Sequence, residues 1–424
     1  MARINKKTGF ATCAIHAGEE LNTSSSHTNP IFQTSTFRFT DAEMGHSLFC
    51  GDRKGYIYSR LGNPTVQVLE NKIAALEGKN LYKKIGGMNI KTEVYPLAFA
   101  SGMSATATVV MAVLSSGDHL ITDNILYGCT NDLFLHTLKR YKIGVSFVDC
   151  SNLDEVKDEL KKFPNTKMIF LETPANPTMK LSDIKAISEL CGEEVCLVVD
   201  NTFATPILQR PLELGADIVI HSTTKYISGH GSAIGGVALT TDQELFEKKL
   251  YPMIIDTGGI PSPHDAWLIN LGLKTLALRM ERHCQNAMEV ARWLVDNPMI
   301  EKVYYPGLDD FPQRELAERQ MDGFGGIISF EVRGEYEAAK KVLNSVELCT
   351  LAVSLGCVDS LIEHPYTMTH NVVPKDIKDW LGITPGMIRL SVGIEDVADI
   401  IYDLDKAIST ISKPMPKTEA KAVS

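Results

Sequence analysis

Between Leu97 and Leu239 the chain alternates short apolar runs with longer stretches whose apolar residues recur every three or four positions. The runs at 120–122, 145–148, 168–171, 195–199, 218–220 and 236–239 predict buried strands. Residues 131–141, 153–162 and 181–190 predict helices between them, and Pro211 opens a short helical turn over 211–214. This β-α-β rhythm calls for crossover helices and a mostly parallel sheet with both faces covered. Upstream, Val66, Leu69, Ile73 and Leu76 space an amphipathic helix over 65–77, with Gly78 as its stop. Downstream, one long helical pattern runs from Ser262 to about Asn297, carrying Leu268, Leu271, Leu273, Leu276, Leu278 and Met280. It leads to a C-terminal α+β region with strands expected at 325–331 and 387–391.

Two stretches break this order. Residues 1–60 have little periodicity. Residues 23–27 read as a Ser/Thr-rich loop and Pro30 to Phe37 as extended chain. Residues 79–96 (KNLYKKIGGMNIKTEVYP) contain Gly86-Gly87 and four lysines, and read as a surface loop or hairpin.

Composition narrows the function classes. The 424 residues are 44% hydrophobic and 22% charged, enough for two or three units around sizeable cores. A net charge of −10 without a dense basic run argues against nucleic acid. No uncharged apolar run reaches the roughly 18 residues of a membrane span, and no apolar segment follows the basic residues 1–9 as a secretory signal would. The nine scattered cysteines lack zinc spacing, so the expectation is free thiols, no metal and a cytoplasmic location.

The candidate chemistry centres on His221–Gly236, HSTTKYISGHGSAIGG. The apolar strand at 218–220 runs into Ser222, Thr223, Thr224 and Lys225, and glycines follow. That places an amine and several hydroxyls at the carboxyl end of a strand, where open α/β sheets bind ligands. The hydroxyls suit a phosphate and the amine suits a Schiff base with an aldehyde; pyridoxal 5′-phosphate (PLP) offers both. A second strand, 197–199, delivers Asp200, and a carboxylate is what keeps a pyridine nitrogen protonated so that the ring draws in electrons. Alone, Lys225 would be a surface lysine and Asp200 a cap; together they make a cofactor site. Ser101-Gly102-Met103 opens a helix after a strand, so its backbone N–H groups suit a phosphate. His230–Gly235 lacks the G-x-G-x-x-G of a dinucleotide site.

Further motifs extend over the chain: Leu126-Tyr127-Gly128-Cys129-Thr130, Glu172-Thr173-Pro174-Ala175-Asn176-Pro177, Asp200-Asn201-Thr202, Ser262-Pro263-His264-Asp265, Ala352-Val353-Ser354-Leu355-Gly356 and Ile388-Arg389-Leu390-Ser391. In order and content, from about His16 to about Ile411, they resemble the Cys/Met-metabolism (transsulfuration) family of PLP-dependent enzymes, of fold type I. The resemblance implies an N-terminal arm (1–62) reaching a neighbouring subunit, a PLP-binding α/β domain (63–276) and a C-terminal α+β domain (277–412); residues 413–424 read as a disordered tail. It implies a homotetramer, a dimer of dimers with shared sites. It makes Lys225 the Schiff-base lysine, Asp200 the partner of the pyridine nitrogen and Tyr127 the residue stacked on the ring. Ser101, Gly102, Met103, Ser222 and Thr224 hold the phosphate, with Tyr58 and Arg60 of a neighbour. Arg389, Asn176 and Ser354 bind the substrate carboxylate. Against the family, residues 79–96 are an insertion of about a dozen residues.

Tyr-Gly-Cys-Thr is similar to the pattern of the methionine γ-lyase branch, where Cys129 replaces the glycine of many relatives. The implied function is γ-elimination on a sulfur amino acid: L-methionine or homocysteine gives 2-oxobutanoate, ammonia and a thiol. Ile254, Ile255 and Cys357 depart from that branch. This leaves three other readings: a γ-replacement transferase (cystathionine γ-synthase or O-acetylhomoserine sulfhydrylase), a cystathionine γ-lyase, and a non-catalytic binding protein. The intact set of Lys225, Asp200, Tyr127 and Arg389 argues against the last.

Overall fold

The computed structural model describes residues 5, 7–22, 24–85, 88–371 and 373–411. The tail expected at 413–424 and part of the loop at 23–27 lie outside them. A seven-stranded sheet is built from β3 (Tyr95–Phe99), β4 (His119–Asp123), β5 (Gly144–Val148), β6 (Thr166–Glu172), β7 (Cys196–Asp200), β8 (Ile218–His221) and β9 (Gly236–Thr240). Their order across the sheet is β3-β9-β8-β7-β6-β4-β5. All neighbouring pairs from β8 to β5 are parallel, while β9 runs antiparallel to both β8 and β3. The reversed strand was not visible in the pattern, because a fully buried strand reads the same in either direction.

Both faces of this sheet are covered, as continuous apolar strands demand. In β6, Met168 and Phe170 enter one hydrophobic cluster while Ile169 and Leu171 enter another, and all four are fully buried. The helix Pro64–Glu77 packs Leu69, Ile73 and Leu76 on the second face, together with Cys13 and Ala14 of the helix Phe10–His16. The N-terminal segment is therefore anchored in its own subunit at its start. Glu19 adds ion pairs to Lys72 (2.7 Å) and Lys274 (3.1 Å).

Three boundaries differ from the pattern. The long helix after Ser262 is two helices, Pro263–Leu273 and Leu276–Asp296, broken at Lys274-Thr275. The helix expected at 181–190 starts at Ile184, where Asp183 accepts a hydrogen bond from the Ala186 N–H. The stretch 128–140 is one helical run carrying a π turn over Leu133–Thr137.

Within residues 79–96, β1 (Tyr82–Ile85) pairs antiparallel with β2 (Met88–Lys91), while Tyr95 and Pro96 already belong to β3. The hairpin is closed by Thr92 N–H donating to Leu81 O (3.0 Å).

A second sheet holds β10 (Ile300–Tyr304), β11 (Ile327–Val332), β12 (Thr350–Leu351), β13 (Leu361–Glu363) and β14 (Met387–Ser391), in the order β10-β11-β14-β13-β12. Ile388 and Leu390 of β14 face its own core, so the alternation of a strand turns Arg389 the other way. Among the described residues, no helix is long and apolar enough to cross a membrane.

Candidate active site

In a parallel sheet every strand delivers its last residue to the same edge, and the candidate residues follow from this. Ser101, Gly102 and Met103 come after β3, Tyr127 and Cys129 after β4, and Asn176 after β6. Asp200 ends β7, and Ser222, Thr224 and Lys225 follow β8. Ser354 and Arg389 arrive from the second sheet's side. All twelve line one cavity of about 810 Å³.

The lysine lies between the two halves. Lys225 Nζ donates to Ser354 Oγ (2.9 Å), and the Ser354 carbonyl accepts from Arg389 Nη2 (2.8 Å). Ser354 holds a left-handed φ of 97°, a strained conformation for a non-glycine residue that marks functional sites. Burial, and then the nearby Arg389 charge, lower the Lys225 amine from 10.5 to about 8. Arg389 is itself buried and ion-paired to Glu363 at 2.8 Å, and its Nη1 donates to Asn176 Oδ1 (2.9 Å).

Arg279 fixes the chain beyond Lys225. It donates to the carbonyls of Tyr226 (2.6 Å) and Gly272 (2.8 Å). A Cβ at Gly229, where φ is +72°, would lie 2.1 Å from its guanidinium, so only glycine fits.

Asp200 is oriented by its own loop: its Oδ1 accepts from Thr202 N (3.0 Å) and Thr202 Oγ1 (2.5 Å). Burial raises its carboxyl above the ordinary 3.8, with no cation among its hydrogen-bond partners. Ser101 caps the helix Gly102–Val113 by accepting from Ser104 N (3.0 Å), and the Gly102 and Met103 N–H groups ahead of it suit an anion. Its hydroxyl is thus engaged in capping. That helix start is pressed against the end of β8, since a Cβ on Gly102 would fall 2.8 Å from Ser222 Cβ. Thr224 Oγ1 accepts from Gly235 N (3.0 Å). Tyr127 is pushed up to about 12, by burial first and then by the Cys129 side chain, so its phenol keeps its proton at neutral pH.

Tyr58 and Arg60 stand apart from the cavity. Arg60 Nη1 donates to Ile255 O (2.6 Å), and the Tyr58 ring is exposed with the guanidinium 5.8 Å from its centroid. A second cleft of about 860 Å³ lies between the ends of β4 and β5 and strand β10. Its Lys180 is already paired with Asp149 at 2.5 Å, which leaves that amine committed.

Sequence reasoning passed over Glu172, Thr202 and Glu363. Glu172 ends β6 and lines the cavity; burial, and then Asp200, push its carboxyl up, while the Tyr127 and Asn176 N–H groups bonded to its two oxygens favour the ionised form. Its signal was present in the Glu-Thr-Pro motif, but a glutamate after an apolar strand also reads as an ordinary cap. Glu363 gave no local signal, since its pairing with Arg389 is a cross-strand neighbour relation between β13 and β14.

The donor set fits PLP: an amine near neutrality, a buried carboxylate lacking a cation, and a glycine-lined helix start beside a free serine hydroxyl. Comparison with known proteins agrees. The profile of the Cys/Met metabolism PLP-dependent enzymes matches residues 11–409. The L-methionine γ-lyase of Fusobacterium nucleatum subsp. polymorphum is 49% identical over 96% of this chain and 99% of its own length. The cystathionine β-lyase of Coxiella burnetii is 43% identical over 96% of this chain and 100% of its own. The crystal structure of metB from Corynebacterium glutamicum superposes with a TM-score of 0.87 at 42% identity, covering 96% of this chain and all of that one. With the profile spanning nearly the whole chain and Lys225, Asp200 and the helix start at Ser101–Met103 meeting in one cavity, the protein belongs to the Cys/Met-metabolism family of PLP-dependent enzymes.

Proposed function

We propose that the protein carries out γ-elimination on L-methionine, releasing 2-oxobutanoate, ammonia and a thiol. One observation carries this reading above the others. The only cationic side chains among the described residues lining the cavity are Lys225 and Arg389. Lys225 is committed to the cofactor and Arg389 serves one α-carboxylate. Cystathionine would bring a second amino-carboxylate and find no second arginine or lysine in this chain's cavity. Methionine brings only a thioether, and the remaining wall offers Cys129, Met368, Val353 and Leu355. The 49% identity to a methionine γ-lyase, against 43% to a cystathionine lyase, points the same way.

Bound PLP supplies an electron sink for the charge that develops on the substrate. Arg389, held by Asn176 and Ser354, fixes the α-carboxylate and so aims the Cα–H bond. The Lys225 amine, lowered toward neutrality, takes the Cα proton and, once it has passed that proton on, takes one from Cβ, so that the Cβ–H electron pair can expel the sulfur from Cγ. Tyr127 keeps its phenolic proton and can give it to the departing sulfur. Asp200 would hold the pyridine nitrogen protonated and Ser222 would bind the phosphate.

We read residues 63–276 and 277–412 as two domains and the free thiols as those of a cytoplasmic protein. Tyr58 and Arg60, outside their own cavity and exposed, serve a neighbour's phosphate in a dimer with shared sites, paired into a homotetramer. Exposed Ile31, Phe32, Phe39 and Phe49 on the same arm are apolar surface that such a neighbour would cover.

The test is a substrate panel. L-methionine, L-homocysteine, L-cystathionine and O-acetyl-L-homoserine are supplied with and without a thiol, and 2-oxobutanoate is measured against thioether. The highest kcat/KM should be for methionine elimination. Preferred thioether formation from O-acetylhomoserine would replace this reading with γ-replacement.

A further inference from the structure

Two loops must be placed against each other for the proposed reaction. One carries Tyr127 after β4; the other carries Asn176 after β6 and through it holds Arg389. The Glu172 side chain touches both. Glu172 Oε2 accepts the Tyr127 N–H at 2.8 Å, and Glu172 Oε1 accepts the Asn176 N–H at 3.2 Å. Asn176 Oδ1 in turn accepts from Arg389 Nη1 at 2.9 Å. We infer that Glu172 is a positioning residue that sets the ring-facing tyrosine and the substrate-carboxylate clamp in one geometry, each through one oxygen of its carboxylate.

A cap would need one acceptor, and a neutral residue could provide it. Here a carboxylate is kept where charge is costly. Glu172 is the cross-strand partner of Asp200 in the parallel pair β6–β7, so the two carboxyls project to the same side of the sheet. Glu172 is only 6% exposed, and the Asp200 charge works against its ionisation. Such a liability at a cavity wall is typical of functional groups. The gain is that only a carboxylate offers two equivalent acceptors to two N–H donors on opposite sides. Glutamine would turn its NH2 toward one of them, and one loop would lose its hold.

This inference rests on the proposed reaction, and its test separates the two. In holoenzyme, Glu172→Gln should raise KM for methionine at least about fivefold when Asn176 is intact, and less than about twofold in an Asn176→Ala background, since the route to Arg389 is then already cut. The visible circular dichroism of the bound cofactor, which needs no turnover, should fall by at least about half as the Tyr127 ring loses its fixed position. Glu172→Asp, which keeps the charge but withdraws the oxygens, should show both effects more weakly and serves if the glutamine variant does not fold. A variant that binds cofactor with wild-type dichroism and KM, and shows only a lower Tm, would overturn the inference. A wild type inactive on methionine would overturn the proposed reaction and leave the dichroism to decide the role of Glu172.

Discussion

A lysine buried beside an arginine is expensive to protonate, and this is how one residue can both anchor a cofactor and act as a base near neutral pH. In the apoprotein the lowered Lys225 amine destabilises the fold below about pH 8, where it must be charged in place. Between pH 8 and its ordinary 10.5 the unfolded chain binds the extra proton, so this cost is relieved as pH rises. Labelling of Lys225 by an amine-reactive reagent, followed by mass spectrometry, should titrate with a midpoint near 8. In Arg389→Gln the midpoint should move upward, because a neighbouring positive charge is removed while burial remains. An unmoved midpoint would mean that burial alone sets it. Cys129, two residues beyond Tyr127, lines the cavity, and we propose that it bears on substrate choice rather than on cofactor attachment. Cys129→Gly should keep bound PLP and lower kcat/KM for methionine at least about tenfold more than for cystathionine, roughly 1.4 kcal/mol of transition-state stabilisation. Equal losses on both substrates would reduce Cys129 to packing.

At the scale of elements, the candidate site residues gather at the carboxyl ends of parallel strands and the β1–β2 hairpin lies at the other end. The β1–β2 hairpin precedes β3, whose five residues separate it from Ser101 by roughly 16 Å of strand. It leans on the turn Pro211–Leu214, where Asn80 N–H donates to Glu213 Oε1 (3.1 Å). Replacing residues 80–92 by a short linker should therefore leave PLP uptake and kcat/KM within about twofold, as steady-state kinetics would show; a larger loss would tie the hairpin to the site. Most strands of the large sheet were legible because each is a buried run with a polar residue at its end, the rule that singled out Asp200 and Lys225 as candidates; β5 at the sheet edge is the exception, with no residue buried. What escaped the sequence depends on partners far along the chain. The reversal of β9 is decided by pairing, and at the break the Gly272 carbonyl accepts from Thr275 N–H (3.1 Å) and Arg279 Nη2 (2.8 Å). The role of Glu172 rests on two backbone N–H groups that no local pattern reveals.

For the whole molecule, the arm poses the open question. It is anchored at Cys13 and Ala14 inside its own subunit, yet presents Tyr58, Arg60 and several exposed apolar side chains away from its own cavity. Sites shared between subunits make a strong prediction. Subunits carrying Tyr58→Phe/Arg60→Ala, mixed with Lys225→Ala subunits, should regain activity in heterodimers, because one of the two sites is then intact. Verified heterodimers without recovered activity would assign the arm to its own subunit.

The most direct measurement for the central claim is the product balance from L-methionine alone. Purified protein with PLP should release 2-oxobutanoate, ammonia and methanethiol in equal amounts. Lys225→Ala should release none of them and should yield no borohydride-trapped cofactor adduct. Wild-type protein that binds PLP at Lys225 yet forms no 2-oxobutanoate from methionine would contradict the account.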